Sequence, residues 1–100
     1  MAKQENQINI ELPESIAEGV YCNLAIISHS QTEFIFDYIQ MLPGLPKAKV
    51  RSRIIMTPQH AKRLHKALAE NIRKYETQQG EIAEGTELDI PMNFGPTGLA

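Results

Sequence analysis

One hundred residues make one domain, and a chain this short buries roughly 60–68% of its unfolded surface, so any apolar face left open is worth covering with a second copy. The composition, 42% hydrophobic and 22% charged, is that of a folded protein and not of a disordered chain. A single cysteine, Cys22, excludes an internal disulfide, and the longest apolar run, Leu24 to Ile27, falls far short of the ~20 residues that span a bilayer. The polar start, Met1 to Gln7, is unlike a signal peptide, and a cytoplasmic location is expected.

In chain order, Ile8, Ile10 and Leu12 alternate with Asn9 and Glu11, which predicts a first half-buried strand ended by Pro13. From Gly19 to about Ser28 a second strand is expected, with apolar residues on both faces: Val20, Cys22, Leu24 and Ile26 on one, Tyr21, Ala25 and Ile27 on the other. Such a strand is covered on both sides, here by the helix and by a partner chain. A polar turn, Ser28 to Thr32, leads to a third strand with Phe34, Phe36 and Tyr38 on one face and Glu33, Ile35, Asp37 and Ile39 on the other. Leu42-Pro43-Gly44-Leu45-Pro46 makes a longer loop. The fourth strand, about Ala48 to Met56, carries Arg51 and Arg53, which pairing with the third would bring near Glu33 and Asp37.

Thr57-Pro58 is a helix start, a capping hydroxyl followed by a residue that needs no amide partner. Ala61, Leu64, Leu68, Ile72 and Tyr75 then recur at helical spacing as one apolar stripe, and Gly80 after Gln78-Gln79 is the expected stop. The reading is therefore α+β: an antiparallel four-stranded meander followed by one long C-terminal helix packed on the sheet. Residues 1–80 form the domain. Residues 81–100 form an acidic tail that is either flexible or, through Leu88, Ile90, Met92 and Phe94, a strand added to a neighbour.

Charge is unevenly placed. Residues 47–74 hold nine basic residues against Glu70 alone, while the remainder holds Lys3 against eleven acids. Lys62, Arg63, Lys66, Arg73 and Lys74 fall within one ~120° arc of the helix, opposite the apolar stripe. A solvated face is the plain reading. The functional one is contact with phosphates or an acidic partner.

Catalytic and metal chemistry find little to stand on. Cys22 lies among apolar neighbours, where a thiol behaves as a small hydrophobe. His60 and His65 are turned about 140° apart on the helix, unsuited to share a metal. Ser28, His29, Ser30 and Asp37 hold the atoms of a hydrolytic triad but lack a nucleophile elbow, and no G-x-G is present. The expectation is a non-enzymatic chain with no metal and no cofactor.

Glu18-Gly19-Val20-Tyr21-Cys22-Asn23, Ser28…Glu33-Phe34-x-x-Asp37-Tyr38 and Arg53-Ile54-Ile55-Met56-Thr57-Pro58-x-His60-Ala61-Lys62-Arg63-Leu64, with Leu68, Asn71, Tyr75-Glu76 and Gly80-Glu81-Ile82, resemble a family of short bacterial and archaeal proteins catalogued only as a domain of unknown function. The resemblance covers roughly residues 8–82 and implies no catalytic residue. Some relatives are encoded beside RNA polymerase subunits, which implies a transcription-associated partner. The expected topology is also similar to that of SecB-type export chaperones, oligomers that hold unfolded chains, a likeness of fold only. Three functions are expected, in this order: a homo-oligomeric interaction module, a nucleic-acid or transcription-machinery binder acting through the basic arc, and a polypeptide-holding chaperone.

Overall fold

The computed structural model runs α1 (Glu14–Ala17), β1 (Leu24–His29), β2 (Phe34–Gln40), β3 (Lys49–Met56) and α2 (Pro58–Gln79). It describes residues 7–44 and 48–85. The three strands form one antiparallel meander in the order β1-β2-β3.

The β1–β2 hairpin closes where the Ser30 N–H donates to the Glu33 carbonyl at 2.9 Å, leaving Gln31-Thr32 as the loop. No non-glycine residue described has positive φ, so this is not the primed turn that two-residue loops usually adopt. The Ser30 hydroxyl stabilises it instead, accepting from the Thr32 and Glu33 N–H groups at 3.3 Å each. At the other end of the hairpin the Asn23 side chain stands in for a backbone pair. Its amide nitrogen donates to the Met41 carbonyl at 3.0 Å, and its oxygen accepts from the Met41 N–H at 2.8 Å.

Ile35, Asp37 and Ile39 of β2 lie between Leu24, Ile26 and Ser28 of β1 and, across β3, Arg53 and Ile55. This face is the core: Leu24, Ser28, Ile35, Asp37 and Ile39 are all buried. Asp37 is tolerated there because Arg53 reaches across the ladder and binds both its oxygens, Nε to Oδ1 at 2.6 Å and Nη2 to Oδ2 at 3.0 Å. These hydrogen bonds, and then the carboxylate's charge, raise the Arg53 pKa above its usual value. The predicted cross-strand ion pair thus forms at Asp37. Arg51 instead donates to the Gln40 side chain, because the β2–β3 register slips between Tyr38 and Ile39 and leaves Arg51 with no opposite residue. On the second face, Ala25, Ile27, Phe34, Phe36 and Tyr38 are half-buried.

Sequence reasoning placed the start and stop of α2 correctly. Thr57 Oγ1 accepts from the His60 N–H at 3.2 Å, and Pro58 takes the first helical position. Gly80 ends the helix at φ 99°, its N–H donating to the Glu76 carbonyl at 2.9 Å.

Three expectations need correction. The sheet has three strands, not four, because Ile8 to Leu12 finds no partner strand among the described residues; Ile8, Ile10 and Leu12 are 78%, 88% and 69% exposed. Alternation fits a segment for a sheet but supplies no neighbour to bond. The next strand begins at Leu24, not near Gly19, since Glu14–Ala17 coils into one helical turn and Gly19 takes a positive φ after it. Finally, α2 meets the sheet only through its first turns. Ala61 and Leu64 are half-buried, but no residue of α2 is buried, and Leu68, Ile72 and Tyr75 are 55%, 40% and 54% exposed. Twenty-two residues make a helix about 33 Å long, more than the ~26 Å of the eight-residue β3. The question of a strand in the tail, from Leu88 to Phe94, falls outside the described residues.

Candidate functional site

Two unlike faces of α2 stand exposed. On one side the stripe of Leu64, Leu68, Ile72 and Tyr75 runs the length of the helix. Beyond Gly80 the chain returns beside it. The Ile82 N–H donates to Glu76 Oε2 at 3.0 Å, and Ile82 joins Asn71, Ile72 and Tyr75 around a shallow hollow. This return widens the apolar surface beside Ile72 and Tyr75, and Ile82 is itself 44% exposed.

On the opposite side, Lys62, Arg63, Lys66, Arg73 and Lys74 are all exposed, as their spacing predicts. Arg73 is drawn back by Glu70, three residues before it, through two side-chain hydrogen bonds. Their pairing removes part of the arc's charge, since an exposed pair one helical turn apart is close to neutral to a distant anion. Lys62, Arg63, Lys66 and Lys74 remain as its basic content.

A feature that sequence reasoning missed lies where α2 leaves the sheet. Ile27, Phe34 and Phe36 of the second sheet face meet Pro58, Ala61, Lys62 and His65 around an open groove of about 500 Å³. Its floor is hydrocarbon and aromatic, with Lys62 and His65 on the helical side. The alternation of Phe34 and Phe36 was visible in the sequence. The angle at which α2 departs after Thr57 was not, and that angle decides whether the rings are covered or left lining a groove.

The polar residues with catalytic potential are dispersed. Ser28 is buried on the core face, whereas His29 lies on the other and stacks on Phe34 with ring centroids 5.2 Å apart. A Ser28–His29–Asp37 triad is therefore split across the sheet, and both Asp37 oxygens are held by Arg53. His65 faces the groove, while His60 stands in the first turn. Cys22, half-buried, precedes β1. Among the described residues no three His, Cys, Asp or Glu side chains gather as metal ligands, and no helix is long and apolar enough to cross a membrane.

Residues 1–84 match the family model described as "Protein of unknown function (DUF3467)". The chain belongs to this family. The DUF3467 match takes in the N-terminal arm, the sheet and all of α2, so the groove and both helix faces lie inside the family unit. It agrees with the span of the resemblance read from the sequence and brings no activity with it. No curated protein and no solved structure matches the chain.

Proposed function

We propose that this member of the DUF3467 family is a non-enzymatic interaction module that works as a homo-oligomer. The observation that carries the reading is the open apolar stripe of α2. Leu68, Ile72 and Tyr75 lie in a row at 40–55% exposure on a helix that buries no residue. Among the described residues fourteen large hydrophobics are exposed and three are buried. Ordering costs about 1.5 kcal/mol per residue, and so small a core offsets little of it, so a second copy is the nearest source of further burial. The split Ser28/His29 arrangement and the occupied Asp37 carboxylate support the non-enzymatic part of the reading.

Light scattering on the full chain over a hundredfold range of concentration tests this. The expected result is a mass at or above that of a dimer at micromolar concentration, falling on dilution. A monomer throughout would end the proposal.

A second reading is favoured by a separate observation, the exposure of Lys62, Arg63, Lys66 and Lys74 on one arc. Contact with nucleic acid or an acidic protein of the transcription machinery through this arc leaves the apolar stripe free for self-association. Titration of labelled DNA and RNA at two salt concentrations tests this second reading. Phosphate contacts through four cations weaken steeply with salt. Binding that is absent at low salt, or unchanged by salt, removes this reading.

A further inference from the structure

The two edges of the sheet differ in kind. β3, on one edge, presents Lys49, Arg51 and Arg53 and carries the register slip at Arg51, which are devices that keep a free edge from pairing. β1, on the other, reads Leu24-Ala25-Ile26-Ile27-Ser28-His29, with no Lys, Arg, Asp, Glu, Pro or Gly. It is also apolar on both faces, the pattern of a strand inside a sheet and not at its margin.

The hydrogen-bond phase shows which backbone groups this edge offers. Ser30 donates to Glu33 in register with the β1–β2 pairing, so Leu24, Ile26 and Ser28 turn their N–H and C=O toward β2. Ala25, Ile27 and His29 turn theirs away from it. By the same alternation, Arg53 and Ile55 direct theirs to the outer edge of β3.

We infer that β1 pairs with β1 of a second copy, antiparallel about a two-fold axis at Ile27. The inference rests on the self-association proposed above and adds to the α2 stripe a second contact between copies, at the sheet edge. In this register Ile27 exchanges both hydrogen bonds with its own copy, and Ala25 pairs with His29 on either side. Every outward donor of Ala25, Ile27 and His29 meets an acceptor, and no two like charges are opposed. The sheet becomes six-stranded, β3-β2-β1-β1-β2-β3, with both charged β3 strands at its margins. The two grooves lined by Ile27, Phe34 and Phe36 then lie on one continuous face. A second copy suits this edge better than the unpaired arm Ile8 to Leu12. The arm would set Asn9 and Glu11 on one of the two faces that β1 makes apolar.

Proline substitution separates this edge from the other. Ile27→Pro removes an outward N–H and none of the bonds to β2, and Ile55→Pro does the same on β3. In sedimentation equilibrium of the full chain, Ile27→Pro is expected to raise the dissociation constant on the order of 100-fold, the loss of two central hydrogen bonds. Ile55→Pro should leave it unchanged. A second pair of variants covers the case in which proline disturbs folding. In a Cys22→Ser background, Ile27→Cys places two thiols on Cα atoms about 5.5 Å apart, within disulfide reach, and should form a covalent dimer under mild oxidation. Ile55→Cys should not. An oligomer that survives Ile27→Pro intact, or one in which Ile27→Cys fails to cross-link, overturns the inference while leaving self-association standing. A monomeric parent chain removes both.

Discussion

Replacing Leu68 by Gln tests whether the open stripe of α2 is an interface. Leu68 is 55% exposed at the middle of the row. Fully burying a leucine side chain gains about 1.5–3 kcal/mol, so roughly 0.8–1.6 kcal/mol remains to be gained when a partner covers the exposed part. In a symmetric pair the residue counts twice, and the loss corresponds to a dissociation constant raised roughly 15- to 200-fold. Leucine and glutamine have nearly equal helix propensity, so the helix itself should persist, with the cost to the unassociated chain under about 1 kcal/mol. Sedimentation equilibrium gives the association constant, and urea unfolding followed by far-UV circular dichroism gives the stability of the monomer. Lys66→Gln, on the opposite arc, is the matched control and should leave association unchanged. Equal dissociation constants for Leu68→Gln and the parent would refute the argument. So would a loss of helix in the variant that accounts for all of its weakened association.

Other substitutions probe the fold that presents these surfaces. Thr57→Ala removes the acceptor of the His60 N–H and should cost about 1 kcal/mol in urea unfolding, with the loss concentrated in α2. Gly80→Ala should cost about 1–3 kcal/mol by the same assay; nothing crowds a Cβ at that position, so the backbone at φ 99° is the whole penalty. Arg53→Ala should destabilise the chain more than Arg51→Ala, because it strips a buried carboxylate of both hydrogen bonds to its one partner, whereas Arg51 serves only the Gln40 amide in an exposed bond. The double change Asp37→Leu with Arg53→Met should recover most of the loss; a double variant no better than Arg53→Ala would refute the account of this pair. The raised pKa of Arg53 places its contribution below strongly alkaline pH and removes it only as pH rises through that value. Arg53 should therefore add no pH dependence to stability between about pH 6 and 10.

The local parts of this fold were legible because their causes are local. Thr57, Pro58 and Gly80 act on groups within four residues of themselves, and the helix they bound runs from Pro58 to Gln79 as its signals require. The third and fourth predicted strands appear as β2 and β3, and Asp37 meets Arg53 because one register places them opposite. Two of the three expectations that failed concerned a partner; the third, a strand from Gly19, gave way to the helical turn at Glu14–Ala17 and the positive φ of Gly19. Ile8, Ile10 and Leu12 alternate as faithfully as Phe34, Phe36 and Tyr38, yet only the second set lies between two other strands. The stripe from Ala61 to Tyr75 has helical spacing throughout, yet only its beginning meets the sheet.

An apolar period states that a face is to be covered; it does not state by what. The sequence reading assigned the whole stripe of α2 to the sheet, and the structure leaves Leu68, Ile72 and Tyr75 without that cover. It gave the Ile8 to Leu12 segment a place in the meander, and the structure leaves β1 with an uncharged edge. Among the described residues both requirements are unmet, and the proposed self-association would meet them. Of the stripe, only Ala61 and Leu64 are half-buried. The stripe continues for three more turns, and the chain returns beside it at Ile82. The basic arc follows it on the far side of the same helix. An amphipathic helix whose apolar face outruns the contact with its own sheet is what the proposed self-association requires.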